Sequence, residues 1–257
     1  MRRNEKRLAI AGMAGALMLT TAAAPNARAA FIVTLQEVGA GAPVSIVDNQ
    51  PGDTDTNVDE IQTSQAFPDF TVNISSGFSN KLDPSAGPEA DLQISSLDIT
   101  KTGNAAPHSL IITLSDTAFP FPGNSGDLMM LSSALSGTVT HSVAGSGDNV
   151  TFTSTANSSV STPLIIGALP ANPGSIPSNW GGLPNPSTTT FVRGATFDLS
   201  STTTLNLSGS AEAVNLSGTT TAVSLGPNVP EPTPAMLALL GVAPLLLSRR
   251  RRAPARV

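Results

Sequence analysis

The sequence predicts an all-β protein whose main part is a single β-sandwich domain of the jelly-roll-like or immunoglobulin-like type. Between residues 30 and 228 no stretch sustains the apolar period of an amphipathic helix. Short runs rich in Val, Ile and Thr instead alternate apolar and polar side chains, as half-buried strands do. Gly, Pro, Asn and Asp separate these runs at intervals of roughly 10–20 residues, which favours a sandwich.

The alternation predicts strands along the whole middle of the chain. The strand at 70–75 is expected to end at a Ser76-Gly77 turn, and the slip at Ser95 and Ser96 predicts a β-bulge. Residues 110–114 are apolar enough for a central strand. Leu-Ser-Gly recurs at 135–137, 207–209 and 216–218, and we interpret these triplets as strand ends closing at glycine turns. The predicted strands are 31–38, 70–75, 92–100, 110–114, 135–143, 149–155, 189–199, 203–208 and 219–225.

Residues 163–186 interrupt this pattern with six prolines and the single tryptophan, Trp180. Proline removes a ladder hydrogen bond, so the segment is predicted to be a long loop and not a central strand. Two interpretations of Trp180 stay open. We favour a side chain that packs the loop onto the sandwich, and the alternative is an aromatic platform for a sugar ring.

The first 29 residues have the three parts of a secretory signal peptide. Residues 2–7 carry a cluster of Arg and Lys, and residues 8–24 are apolar and uncharged. Ala27 and Ala29 give the small-x-small pattern that signal peptidase recognises, which predicts cleavage before Ala30. The alternative is a permanent amino-terminal membrane helix.

The last 29 residues, 229–257, also have three parts in a fixed order. The motif Val229, Pro230, Glu231 and Pro232 is followed by an apolar segment at 233–247 and then by the cluster Arg249, Arg250, Arg251 and Arg252. As a helix the apolar segment spans about 22 Å, against about 30 Å of membrane hydrocarbon. Pro244 also removes one of its backbone hydrogen bonds. The segment suits a transient membrane stop, and an ordinary tail anchor is the alternative.

This tail resembles the PEP-CTERM sorting signal of Gram-negative bacteria, which the membrane protease-transpeptidase exosortase processes. The resemblance implies that Pro230, Glu231 and Pro232 form the recognition element just outside the membrane. It implies a precursor inserted transiently in the inner membrane, with both basic ends on the cytoplasmic side. It also implies a mature protein at the cell surface or in the medium, in bacteria that make exopolysaccharide and a biofilm matrix.

The charge of residues 30–228 excludes several classes of partner. This part contains three basic residues against sixteen acidic ones, a net charge near −13. Nucleic acids and anionic lipid surfaces need a positive face, so neither is an expected partner. The chain has no cysteine, which leaves a packed core and not disulfides to stabilise the exported domain.

Residues that could carry catalysis are sparse. His108 and His141 each lie at the edge of a predicted strand with no ligand-spaced neighbour, so we interpret both as structural histidines and a zinc site as improbable. The chain has no nucleophile elbow, phosphate-binding loop or dinucleotide fingerprint. We therefore expect no catalytic residues and no enzyme activity.

One acidic run indicates a metal other than zinc. Oxygen-bearing side chains alternate at Asp53, Asp55, Asn57 and Asp59, which suits the oxygen ligands that calcium prefers. An EF-hand is excluded, because its glycine and glutamate positions hold Val58 and Ser64. A looser extracellular calcium loop and a solvated acidic turn both stay open, and we favour the turn. No other cofactor is expected.

Together these features lead to two functional hypotheses. The first is an exported structural or interaction protein, cut by signal peptidase and exosortase and associated with extracellular polysaccharide. The alternative is a polysaccharide-binding module, with calcium as a candidate helper.

Overall fold

A computed structural model of the chain shows two antiparallel β-sheets packed face to face, which confirms the predicted β-sandwich. The structure describes residues 31–81, 88–102, 108–141, 148–162, 165–169, 174–175, 186–209 and 211–227. The signal peptide, the sorting tail and Trp180 lie outside the described residues. Among the described residues, no helix is long and apolar enough to cross a membrane.

The first sheet, called sheet 1, has the strand order β10-β8-β13-β6-β1-β2, and β9 also pairs with β8. Its strands are β1 (Ile32–Glu37), β2 (Val44–Val47), β6 (His108–Phe119), β8 (Asn149–Ala156), β9 (Val160–Ser161), β10 (Ile165–Ala168) and β13 (Phe197–Leu207).

The second sheet, called sheet 2, has the order β11-β7-β14-β5-β4-β3, and β12 also pairs with β7. Its strands are β3 (Glu60–Ala66), β4 (Phe70–Ser79), β5 (Glu89–Lys101), β7 (Asp127–His141), β11 (Gly174–Ser175), β12 (Ser187–Val192) and β14 (Ala213–Pro227).

The core lies between the two sheets and follows the alternation that the sequence shows. Every second residue of β13 is buried, and the same period runs through β8. Two pairs of buried Ser and Thr side chains bond to each other, Ser133 with Thr162 and Ser154 with Thr220. Ser154 of sheet 1 and Thr220 of sheet 2 share a hydrogen bond of 2.6 Å, so these buried hydroxyls avoid the desolvation cost of an unpaired group.

Most predicted strands are present, and the bulge at Ser95 and Ser96 is confirmed. Leu97 pairs with Leu216 while Ile94 pairs with Gly218, so two residues of β5 oppose one of β14, and Ser96 has a φ of 50°. The predicted turn at Ser76-Gly77 is wrong, because β4 continues to Ser79.

Two further strand boundaries differ from the prediction. The single strand predicted at 189–199 is two strands, β12 and β13, separated around Arg193. Two of the Leu-Ser-Gly triplets, 135–137 and 216–218, lie inside β7 and β14 and not at glycine turns. Within the proline-rich segment, β10 and β11 add short edge strands to the two sheets, consistent with a segment that holds no central strand.

Both ends of the described domain lie at the same end of the sandwich. Ile32 pairs with Ser115 near the end of β6, and Pro227 pairs with Asp127 at the start of β7. Because β6 and β7 follow each other in the chain, these positions are close, and we call this the termini end. Glu37 pairs with Leu110 at the opposite end, which we call the far end. The twelve residues of β6 connect the two over about 36 Å.

Candidate functional site

A cluster of one histidine and two carboxylates lies at the far end of the sandwich. Glu37 is the last residue of β1, His108 is the first of β6, and Asp69 directly precedes β4. The Nδ1 atom of His108 is 2.9 Å from Oδ2 of Asp69 and 3.6 Å from Oε1 of Glu37. The pairing of β1 with β6 sets the first two residues side by side, and the β3–β4 turn brings Asp69 across from sheet 2.

The cluster is deep on one side and open on the other. The Glu37 side chain is 1 % exposed, that of Asp69 13 % and that of His108 26 %. The backbone N–H of Asp69 donates to Oε2 of Glu37 over 3.2 Å. The other oxygen, Oε1, is buried and accepts no hydrogen bond from the residues that the structure describes. The buried carboxylate therefore presents an unsatisfied oxygen to the imidazole.

These three side chains are also the group that could hold a metal ion. Within the described ranges, they are the one set of three His, Asp or Glu residues whose ligand atoms all lie within 4.8 Å of one another. The sequence interpretation of His108 as a structural histidine did not foresee these two carboxylate neighbours. Sequence spacing missed the cluster because 32 residues separate Glu37 from Asp69 and the fold alone joins them. The side chain of His141 lies outside the described residues.

The predicted calcium ligands lie in the β2–β3 connection, where they bond to the backbone of their own loop. Asp53 accepts backbone N–H bonds from Asn49, Asp55 and Gln62, each 3.0 Å long. The carboxylate of Asp55 accepts from the N–H of Asn57 over 2.6 Å.

The loop is closed in the same way at its other side. Asp48 accepts the N–H of Asp59 over 3.0 Å, and burial, together with the charges of Asp53 and Asp116, raises the pKa of the Asp48 carboxyl. These bonds explain the alternating acids as turn formers, in line with the favoured interpretation. Calcium binding here stays a prediction.

All three basic residues of the region 30–228 are buried. The Nζ atom of Lys81 is 3.1 Å from Oδ1 of Asp116, and that of Lys101 donates to the carbonyl of Gly209 over 2.7 Å. The guanidinium of Arg193 donates to the carbonyls of Gly123 and Ala195 and lies 5.8 Å from the centre of the Phe197 ring. The described outer surface therefore exposes acidic side chains without basic ones.

The outer face of sheet 1 carries a continuous line of hydroxyl groups, which we call the hydroxyl row. Neighbouring strands pair these residues directly, at the strand spacing of about 4.8 Å. Their side chains are exposed or half-buried, and a hydroxyl can both donate and accept hydrogen bonds. Thr34 and Ser45 share a bond of 3.3 Å, Thr113 and Thr202 share one of 3.5 Å, and Thr153 donates to the carbonyl of Thr162 over 3.2 Å. No described aromatic side chain is exposed. The row consists of Ser45, Thr34, Thr113, Thr202 and Thr153.

The carboxylate of Asp91 on β5 lies where burial disfavours its charged form. Burial, with a smaller contribution from the charge of Glu89, raises the pKa of Asp91 from 3.8 to about 6, and its Oδ1 atom has no hydrogen-bond partner in the described part of the chain. The folded state thus binds this proton more tightly than the unfolded state. The contribution of Asp91 to the free energy of unfolding is therefore fully present below about pH 4, and it is lost as the pH rises through 6.

Replacing Asp91 with asparagine should therefore stabilise the protein at pH 7.5. The shift in pKa from 3.8 to about 6 corresponds to about 3 kcal/mol, which solvent screening of this half-buried group reduces to about 1–2 kcal/mol. Urea unfolding at pH 7.5 and pH 4 measures the effect, and the two proteins should converge at pH 4. Asp98→Asn, exposed on the same strand, is the control and should change little. Equal stability of Asp91→Asn and the parent at both pH values would contradict the assignment.

The sequence-predicted processing residues cannot be placed against this geometry. Those of the signal-peptidase site and the sorting tail lie outside the described residues: Ala27, Ala29, Ala30, Val229, Pro230, Glu231, Pro232, Arg249, Arg250, Arg251 and Arg252. The described domain runs from Phe31 to Pro227, and β14 ends at Pro227, two residues before the tail motif.

Neither a family model nor a curated protein matches the chain. Three solved structures are similar at low identity. One is TmCBM61 in complex with β-1,4-galactotriose, at 7 % identity over 59 % of this chain and 86 % of that one, with a TM-score of 0.27.

The second belongs to a study of the promiscuous specificity of carbohydrate-binding modules of the β-sandwich superfamily, at 8 % identity over 73 % of this chain and 82 % of that one, with a TM-score of 0.20. The third is the infectious bursal disease virus VP2 subviral particle, at 13 % identity over 87 % of this chain and 72 % of that one, with a TM-score of 0.17. At these values the likeness concerns fold alone.

Proposed function

We propose that this chain is an exported surface protein whose tail is processed by exosortase, with a non-catalytic structural or interaction role in an extracellular polysaccharide matrix. The observation that carries the sorting part is the order of motif, apolar segment and arginine cluster directly after the last strand, which ends at Pro227. The signal peptide at the other terminus supports export.

The sandwich geometry is compatible with such processing. The first and last strands meet the flanking segments at the termini end, so a tail held in a membrane keeps that end nearest to the bilayer. The far end then lies about 36 Å farther out. The five strands β2, β1, β6, β13 and β8 present the hydroxyl row along the side. Both features are accessible to a matrix polymer in this orientation.

The surface chemistry favours an uncharged polysaccharide as the partner. All three cations of the region are buried, so an anionic polymer is repelled unless a divalent cation bridges the two. The hydroxyl row offers donors and acceptors at regular spacing, which suits sugar hydroxyls. The second candidate is calcium-assisted binding of an acidic polysaccharide, and the acidic loop around Asp53 favours it because carboxylate oxygens are preferred calcium ligands.

Intact mass spectrometry of the protein from native cells and medium tests the sorting proposal. We expect the mature chain to begin at Ala30 and to end near the Val229–Pro232 motif, and an exosortase-deletion strain should retain the residues up to Val257. A chain that ends at Val257 in both strains would overturn the proposal. In matrix fractions, retention in 1 M NaCl and in EDTA supports a neutral polysaccharide, while release by EDTA alone supports the calcium-assisted candidate.

A further inference from the structure

We propose that Glu37, Asp69 and His108 bind one divalent transition-metal ion at the far end of the sandwich, with Zn²⁺ as the best match. The site is separate from the acidic loop around Asp53, and it does not depend on sorting by exosortase. It provides a cross-link between the two sheets, because Glu37 and His108 belong to sheet 1 and Asp69 precedes the first residue of β4 in sheet 2.

The ligand atoms are already spaced as a metal requires. Zinc binds imidazole nitrogen and carboxylate oxygen at about 2.0–2.2 Å, which puts two ligands of a tetrahedral site about 3.4 Å apart. Here Nδ1 of His108 is 2.9 Å from Asp69 Oδ2 and 3.6 Å from Glu37 Oε1, so the observed distances lie on either side of that value. The ligand oxygens of the two carboxylates lie within 4.8 Å of each other, and an approach to about 3.4 Å completes the geometry.

The buried oxygen of Glu37 is an independent sign that the cluster binds a cation. The Glu37 side chain is almost wholly buried, and its Oε1 atom has no hydrogen-bond partner among the described residues. An unsatisfied carboxylate oxygen in this environment costs free energy, which a metal bond would recover. The N–H of Asp69 holds Oε2 at 3.2 Å and thereby turns Oε1 towards the imidazole, as outer-shell contacts to metal ligands do.

The ligand types select the class of metal. Calcium and magnesium prefer oxygen alone, whereas imidazole suits zinc, copper, iron and nickel. Two carboxylates balance the charge of a divalent ion, so a neutral His108 with both acids ionised makes a neutral site. His108 is 26 % exposed, which leaves room for solvent as a fourth ligand. Without a metal, the 2.9 Å contact between His108 and Asp69 is an ordinary pairing of an imidazole with a carboxylate, and this is the competing explanation.

Calorimetric titration of the full chain, purified from its host and stripped with a chelator, separates the two explanations. We expect saturable binding of ZnCl₂ at one ion per chain, retained in the presence of excess CaCl₂, with a melting temperature that rises on binding. His108→Ala removes a ligand and should weaken binding by at least about 100-fold. Asp53→Asn is the matched control in the acidic loop and should bind Zn²⁺ as the parent does.

Each other outcome overturns the proposal. Absence of saturable binding leaves the pairing of imidazole with carboxylate as the sole function of the cluster, and unchanged affinity in His108→Ala places the zinc elsewhere. His108 is partly exposed, so its alanine variant is expected to fold, which far-UV circular dichroism checks. Glu37→Gln provides a second variant, because it keeps the shape of the side chain and removes the charge that a metal needs.

Discussion

Replacing Asp116 with alanine should lower the free energy of unfolding by about 3–5 kcal/mol. Asp116 lies fully buried on β6 in sheet 1, and its partners come from sheet 2. Its Oδ1 atom is 3.1 Å from Nζ of Lys81, and the hydroxyl of Ser79 donates to Oδ2 over 2.7 Å. The alanine variant removes the carboxylate that contacts Nζ of Lys81 and accepts from the Ser79 hydroxyl, and the loss of these two buried contacts sets the size of the effect.

The same cluster predicts that removing both charges costs much less. Burial raises the pKa of Asp116 even though bonds from Ser79 and Lys81 lower it, so desolvation outweighs the partners. The attraction between Asp116 and Lys81 therefore does little more than offset the cost of burying their charges, as is usual for buried ion pairs. The double variant Asp116→Leu with Lys81→Met should lie within about 1 kcal/mol of the parent.

Urea unfolding at pH 7 measures the free energy of unfolding of the parent, of Asp116→Ala and of the double variant. Asp98→Ala is the control, since Asp98 is exposed and accepts one bond of 2.6 Å from Asn215, and its loss should stay below about 1 kcal/mol. A double variant as unstable as Asp116→Ala would contradict the compensation argument, because the loss would then arise from packing and not from the broken contact between Asp116 and Lys81.

Sequence periodicity predicted the strands because alternation is local information. The run at 149–155 corresponds to β8, and the two adjacent serines at 95 and 96 were enough to locate the bulge of β5. Turn prediction was weaker, because a glycine alone does not mark a turn. Gly77 lies inside β4 next to the Phe31 ring, which an added Cβ would meet at 3.4 Å, an ordinary contact distance.

The polar clusters could not be predicted in the same way, because their members are far apart in the chain. Ser79 and Asp116 are separated by 37 residues. Asp116 occupies the inward phase of β6, but the partners that compensate its charge lie on the opposite sheet, and nothing in the sequence marks them. The burial of Lys101 has the same origin, since its acceptor, the carbonyl of Gly209, lies 108 residues away.

Phe152 should be the apolar side chain whose truncation costs most where the two sheets face each other. Its ring is fully buried on β8, and it packs against the backbone of β14 at Gly218. Phe152→Ala removes that ring and leaves a cavity, for which we expect a loss of about 3–5 kcal/mol, or a fall in melting temperature of roughly 6–20 °C. Phe78→Ala is the control on β4, and it should cost less because that residue is only partly buried.

Gly218 allows a specific test of this contact, because the Phe152 ring occupies the space that a side chain at position 218 would need. A Cβ added there would lie 2.9 Å from Cε2 of Phe152, so Gly218→Ala alone should cost about 1–3 kcal/mol through overpacking. In the double variant Phe152→Ala with Gly218→Ala, the methyl group of the new alanine at 218 no longer meets a ring. It fills part of the cavity that the Phe152 ring leaves. The total loss of the double variant should therefore fall short of the sum of the single losses by about 0.5–3 kcal/mol in urea unfolding. Additive losses would show that the ring and the β14 backbone do not contact each other as described.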